Sequence, residues 1–238
     1  MVRYHDGRPR HQQIAADIRA DIMAGRLPPG AQLPSTQQLV DRYATANATV
    51  QRALSLLKDE GFLEGRPGKG VYVRAKQLFP VEVSAYFEPS PQRYTYEVLD
   101  VREEAPPSDV AEALGLDSDD SAVLRHRLLR HDGEPVELSW SYYPASLARG
   151  TPLAGRTKIR GGAPQVLADL GYPEREFTDL LSTRPPTVQE AERLELPEGV
   201  PVIRQFRVIY SDDMRPVEVS ILVKGGHLYA LEYRQRIR

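Results

Sequence analysis

Apolar residues in the first 75 positions recur with helical period. Ile14, Ala15, Ile18 and Ile22 form one stripe over 10–24, and Gly25 ends it. Pro29-Gly30 suits positions i+1 and i+2 of a type II turn. Ser35 and Gln38 then have capping-box spacing, and Leu39, Val40 and Tyr43 give the buried side of a short helix. Ala44-Thr45-Ala46 predicts a tight turn before a second helix over 47–60, whose inward residues are Val50, Ala53, Leu54 and Leu57. Past Gly61, residues 62–64 and 71–73 read as strands joined by the Gly-rich stretch Gly65-Arg66-Pro67-Gly68-Lys69-Gly70.

The pattern then changes. Strands are predicted over 81–87, 94–101, 122–131, 135–143, 176–183, 201–210, 216–223 and 228–237, with Asp132-Gly133 as a hairpin turn. Helices are predicted over 108–116, capped by Ser108, over 164–170, and behind a second capping box at Thr187 and Glu190. A loop covers 144–162. The expected organisation is a three-helix head with a hairpin at 1–74, a partly basic linker at 75–80, and an α+β body of mostly antiparallel strands at 81–238.

The body carries an internal repeat. Glu112-Ala113-Leu114-Gly115-Leu116, Val123-Leu124-Arg125 and Glu134-Pro135-Val136-Glu137-Leu138-Ser139 parallel Glu192-Arg193-Leu194-Glu195-Leu196, Val202-Ile203-Arg204 and Arg215-Pro216-Val217-Glu218-Val219-Ser220. Each unit is helix, strand, turn, strand, so two units face to face would share one sheet around a pseudo-twofold axis. Ligands favour the cleft where such halves meet.

Charge sharpens the division. Residues 1–76 hold 12 Lys and Arg against 7 Asp and Glu, a balance of +5, and the remainder holds 19 against 26, a balance of −7, within a net charge of −2. A basic head suits phosphate and an acidic body does not. Without cysteine there are no disulfides, thiolate metal sites or cysteine nucleophiles, and five scattered histidines point to no metal centre. No apolar run approaches 18 residues and the N-terminus is polar, so neither a spanning helix nor a signal peptide is expected, and the cytoplasm is the expected compartment.

The head resembles the winged helix-turn-helix of the GntR family of bacterial regulators. The match runs through Leu33-Pro34-Ser35, Leu39, Tyr43, Thr49-Val50, Arg52-Ala53-Leu54, Glu60-Gly61 and Gly68-Lys69-Gly70, over about 10–73. The resemblance implies a DNA surface of Ser35, Thr36 and Gln37 on one helix, Asn47, Ala48, Thr49, Gln51 and Arg52 on the recognition helix, and Arg66, Gly68 and Lys69 on the wing. Where the family often carries arginines to read bases, this chain has Asn47 and Gln51. Guanidinium pairs with guanine and amides with adenine, so an altered operator is expected.

The body resembles the UTRA effector domain of the HutC branch, a relative of the chorismate lyase fold. The marks are Arg125-x-Arg127, Gly133-Glu134-Pro135, Tyr142-x-Pro144, Pro216-Val217-Glu218 and Gly226-x-x-Tyr229. In such domains the paired arginines, the acidic residue after Pro-Val and the late tyrosine line a small-molecule pocket, implying Arg125, Arg127, Glu218 and Tyr229. Ser139 stands where the family often has Glu, and Glu137 on the same strand face could substitute. The two arginines could grip a carboxylate or phosphate together, or merely form cross-strand ion pairs with Glu137 or Glu218. The resemblance implies a homodimeric repressor that a small anionic ligand releases from a palindromic double-stranded operator, without cofactor or catalytic residues. An enzyme-like body and a constitutive DNA binder remain the alternatives.

Overall fold

The computed structural model describes residues 7–74, 79–82, 94–227 and 229–232. The chain divides into two compact units, the first ending at Leu78 but also taking in Pro197–Val200, and the second holding the rest from Phe79 onward.

The first unit is built on α1 (Arg10–Met23), α2 (Thr36–Tyr43) and α3 (Asn47–Asp59). Ile14, Ala15, Ile18, Leu39, Val50, Ala53, Leu54 and Leu57 meet in one apolar core, which Leu33, Leu63 and Val73 close. Both halves of the capping box at Ser35 and Gln38 form. The Pro29-Gly30 turn closes through Ala31 N–H donating to Pro28 O (2.9 Å), with Gly30 at a φ of 81°. The wing is β1 (Leu63–Arg66) paired antiparallel with β2 (Gly70–Val73). These strands run further out than the predicted 62–64 and 71–73, leaving Pro67-Gly68-Lys69 as the tip.

The second unit begins with β3 (Phe79–Glu82) in parallel pairing with β10 (Tyr229–Glu232). Phe79 and Pro80, expected in the linker, therefore belong to a strand. The rest of the predicted strand at 81–87, and of the predicted 228–237 strand, lies outside the described residues. Between them run β4 (Tyr94–Glu104), α4 (Ser108–Leu114), β5 (Ala122–His131), β6 (Glu134–Pro144), α5 (Ala145–Ala148), α6 (Gly162–Asp169), β7 (Glu176–Arg184), α7 (Val188–Arg193), β8 (Val202–Tyr210) and β9 (Pro216–Gly225). Two sequence expectations need correction. Pro107, with φ preset at −52°, precedes α4, so Ser108 is its first residue and makes no cap. The predicted loop at 144–162 contains α5 and a 3-10 turn at Pro152–Ala154.

The main sheet is antiparallel, in the order β4-β5-β6-β9-β8-β7, so each repeat supplies one half. Matching the two Pro-Val-Glu segments makes Trp140 the counterpart of Ile221, and these two pair with each other across β6 and β9, so the pseudo-twofold axis passes between them. The halves even share a bulge. The β5–β6 ladder slips between Leu129 and Arg130, and the β8–β9 ladder slips between Ile209 and Tyr210. Opposite each slip one residue is extra, Val136 or Val217, and both are buried. The sheet register also corrects the sequence alignment of the repeat. Arg127 pairs with Ser139 and Arg207 with Ser220, so the counterpart of Arg127 is Arg207, and that of Arg125 is Gln205 rather than Arg204.

One face of this sheet is apolar. Val110 and Leu114 of α4 pack with Ala122, Leu124, Tyr142, Val208 and Val219, and Leu194 after α7 packs with Leu128, Leu138, Val202 and Val223. The other face is apolar only at one end, where α5, the 3-10 turn and α6 cover Val101, Val123, Tyr143, Ile209 and Val217.

Candidate DNA interface and effector site

The N-terminal turn of α3 presents Asn47, Ala48, Gln51 and Arg52 to solvent, while Val50, Ala53 and Leu54 point into the core. Thr49 is half-buried between the two sets. Ala46 precedes the helix without a side-chain cap, so the first N–H groups remain available to an oxygen ligand. Gln51 is oriented: its Nε2 donates to Thr36 Oγ1 at 3.1 Å, tying the recognition helix to α2. Exposed Gln37 donates to Asp41 at 3.0 Å on its own helix, and Ser35 is engaged in capping. In the wing Arg66 lies over Tyr72 at 4.2 Å and bonds Glu64 at 3.0 Å. Lys69 holds its loop through its backbone, whose carbonyl accepts from Gln32 (2.8 Å) and Tyr72 (3.2 Å), and its side chain is exposed beside Gly68. The expected DNA residues thus lie on α2, α3 and the wing of one small unit.

The partly covered face of the body sheet is unusual. Strand alternation and register put Arg125, Ser139, Ser141, Gln205, Arg207, Glu218, Ser220 and Lys224 on it, and all are buried. A face this polar is costly unless its groups satisfy one another or something bound there.

Arg125 is satisfied from within. Its Nη1 donates to the carbonyls of Pro152 (3.3 Å), Leu153 (2.9 Å) and Gly155 (2.5 Å), and Nη2 to that of Thr157 (3.0 Å). It holds the segment leading into α6. Arg127, on the same face two residues on, donates through Nη2 to Ser141 Oγ at 2.6 Å, with its guanidinium carbon 6.0 Å from the Tyr96 ring centroid. Ser141 and Ser220 face each other across the pseudo-twofold axis at 2.5 Å, and Ser220 donates to Glu218 Oε1 at 2.5 Å. In the other half, Asp179 on β7 holds Arg207 by two 2.7 Å bonds and accepts from Gln205 at 3.0 Å. Lys224 donates to Gln205 (2.8 Å) and pairs with Glu137 (2.9 Å). Its ammonium lies 5.6 Å from the ring of Tyr229, whose phenol burial pushes well above its usual pKa. Ser139 is buried beside this network.

The six expected effector residues therefore share one region, with Glu137 paired to Lys224 rather than to either arginine. Sequence reasoning passed over Ser141, Asp179, Gln205, Arg207, Ser220, Lys224 and Glu174. The repeat, carried forward from the helix match of Leu114 with Leu194, would have revealed Arg207, and its Pro-Val-Glu match would have revealed Ser220. Glu174, in the turn before β7, carries no motif. Its carboxyl is pushed up to about 8, first by burial and then by the Glu218 carboxylate, with Arg207 opposing.

Comparison with known proteins accounts for both units. The model of bacterial regulatory proteins of the gntR family matches residues 10–73, and that of the UTRA domain matches 90–229. An HTH-type transcriptional regulator of Streptomyces coelicolor is 28% identical over 94% of this chain and 92% of its own. A fructoselysine utilization operon transcriptional repressor of Escherichia coli K12, named as probable, is 25% identical over 89% and 90%. Among solved structures, a GntR-family transcriptional regulator superposes with a TM-score of 0.63 at 24% identity, covering 97% of this chain and 99% of its own. PhnF from Mycobacterium smegmatis does so with a TM-score of 0.60 at 20% identity, covering 94% and 100%. Winged head, paired-repeat sheet and these matches together place the chain in the GntR family of bacterial transcriptional regulators, in the HutC branch that joins the DNA-binding head to a UTRA effector domain.

Proposed function

We propose that this regulator is a homodimeric repressor that a small anionic ligand releases from a palindromic operator. The observation carrying this reading is the buried polar face of the body sheet, where an arginine, two serines and a glutamate form one chain where apolar packing would be more stable. Such a face suits anion recognition through Arg127 and ligand hydroxyl or amide contacts through Ser139, Glu137 and Glu218. Arg125 serves by holding the 152–157 segment beside it. Tyr229 couples the face to β10 and so to β3, the strand that follows the linker.

On DNA, Asn47 and Gln51 read bases, Ala48, Thr49 and Arg52 line the same helix end, Ser35, Thr36 and Gln37 flank it, and Arg66, Gly68 and Lys69 hold the backbone. Two heads reading half-sites about one helical turn apart, roughly 34–36 Å, require a set separation. A ligand that binds better to the arrangement with misplaced heads releases DNA by its differential affinity alone. The face binds rather than transforms, as the relatives' names as transcriptional regulators support.

Selection from a random duplex pool with the purified chain, followed by light scattering of the complex, tests this. The reading expects an inverted repeat bound by two chains. A single asymmetric site bound by one chain overturns it.

A further inference from the structure

The hydrogen-bond chain across the pseudo-twofold axis has a direction. Arg127 can only donate, and Ser220 spends its proton on Glu218 Oε1, so the Ser141 hydroxyl must donate to Ser220. A cation stands at one end and a carboxylate at the other, joined by bonds of 2.6, 2.5 and 2.5 Å. Glu218 is 1% exposed, yet its Oε2 makes no hydrogen bond. Both carboxylate oxygens of Glu174 are buried without a hydrogen bond as well. Ser211, donating to Pro173 O at 2.8 Å, ties the turn that carries Glu174 to the end of β8.

The charged neighbours are accounted for. Glu174 faces Glu218 from β9 and Arg207 from β8, and Arg207 is held by Asp179 of β7. In the same turn Arg175 pairs with Asp212, and Arg215 lies over the Tyr172 ring at 4.4 Å. Three buried carboxylate oxygens therefore lack a partner, and a single proton on Glu174 can bridge only one of its oxygens to a neighbour, a costly arrangement for the unliganded protein. A divalent metal is a poor occupant, because it needs more hard oxygen ligands, and among the described residues no group of three or more His, Asp or Glu could hold one. An ammonium brings three donors and the missing charge.

We propose that the effector is a small zwitterion whose protonated amine is bound by Glu218 and Glu174 and whose anionic group lies against Arg127. This rests on the reading of the polar face as the effector site. At neutral pH Glu174 retains a proton that the ammonium must displace, so binding releases a proton and tightens as pH rises toward 8.

The test is calorimetry on the full chain with 2-aminoethyl phosphate, ethyl phosphate and inorganic phosphate at pH 6, 7 and 8. The ammonium lowers the second phosphate ionisation of the first probe, so each affinity is referred to that probe's own dianion, and the ratio of these values isolates the amine. In the wild type the amine is preferred, and the preference grows by up to about tenfold per pH unit, as one linked proton requires. In Glu174→Gln the ratio is flat with pH, and in Glu218→Gln the preference is lost while ethyl phosphate still binds. Equal binding of the two organic phosphates at every pH overturns the amine site and leaves the anion site standing, as does a ratio that still climbs in Glu174→Gln. Failure of all three probes to bind overturns both.

Discussion

Arg125 offers the sharpest test of how the polar face is built. Its guanidinium, 1% exposed, donates to the carbonyls of Pro152, Leu153, Gly155 and Thr157. Arg125→Met keeps most of the volume but removes every donor. One of the four contacts, to Pro152, is long at 3.3 Å, and water can replace some of the others. Counting two carbonyls left unsatisfied at roughly 1–3 kcal/mol each gives a loss of about 2–6 kcal/mol. With a urea dependence of about 2 kcal/mol per molar, the midpoint should fall by about 1–3 M. The sole tryptophan, Trp140, sits on β6, so its fluorescence reports the body without interference from the head. Arg125→Lys should fall between, because an ammonium cannot span four carbonyls. A midpoint shift below about 0.5 M for Arg125→Met, equivalent to about 1 kcal/mol, would refute the role of Arg125 as the clasp of this segment.

Three further outcomes follow from other parts of the chain. Met214 occupies the left-handed region at a φ of 56°, where the equivalent position of the other repeat is Gly133, so Met214→Gly should stabilise the body by about 0.5–1 kcal/mol in urea melts. The Glu174 carboxyl is raised in the folded chain, so its contribution to stability is fully present below pH 4.5 and is lost as pH rises through about 8; Glu174→Gln should therefore raise the melting temperature most above pH 8 and little near pH 4, and an equal gain at both would contradict the assignment. Replacing Lys69 by alanine should weaken binding to every duplex and lower the salt slope by about 1, whereas Gln51→Ala should change base preference by about 1–3 kcal/mol at one position per half-site, both read by fluorescence anisotropy across salt concentrations.

The head was legible because its information is local. The stripe from Ile14 to Ile22, the capping box at Ser35 and the glycines at 61, 68 and 70 each announce their element within a few residues. The body was legible as a repeat but not in detail. Identical letters match Arg125 to Arg204, yet the sheet aligns residues by ladder register, which sets Arg127 opposite Ser139 and Arg207 opposite Ser220 and so moves the correspondence by one. The division of labour between the arginines was invisible too. Both point to one face, but only the chain folding back at 152–157 decides that Arg125 meets carbonyls. Glu174 acquires its character wholly from burial and from Glu218 arriving on a strand more than forty residues later.

The most direct measurement of the central claim is the affinity for the selected duplex, for the wild type and for Arg127→Ala, with and without the small-molecule fraction of a lysate from the source cells. If the polar face controls the head, the extract weakens the wild-type complex at least about tenfold and leaves the Arg127→Ala complex unchanged, while both proteins bind equally without extract. Release of both proteins to the same extent, or of neither, would contradict the claim.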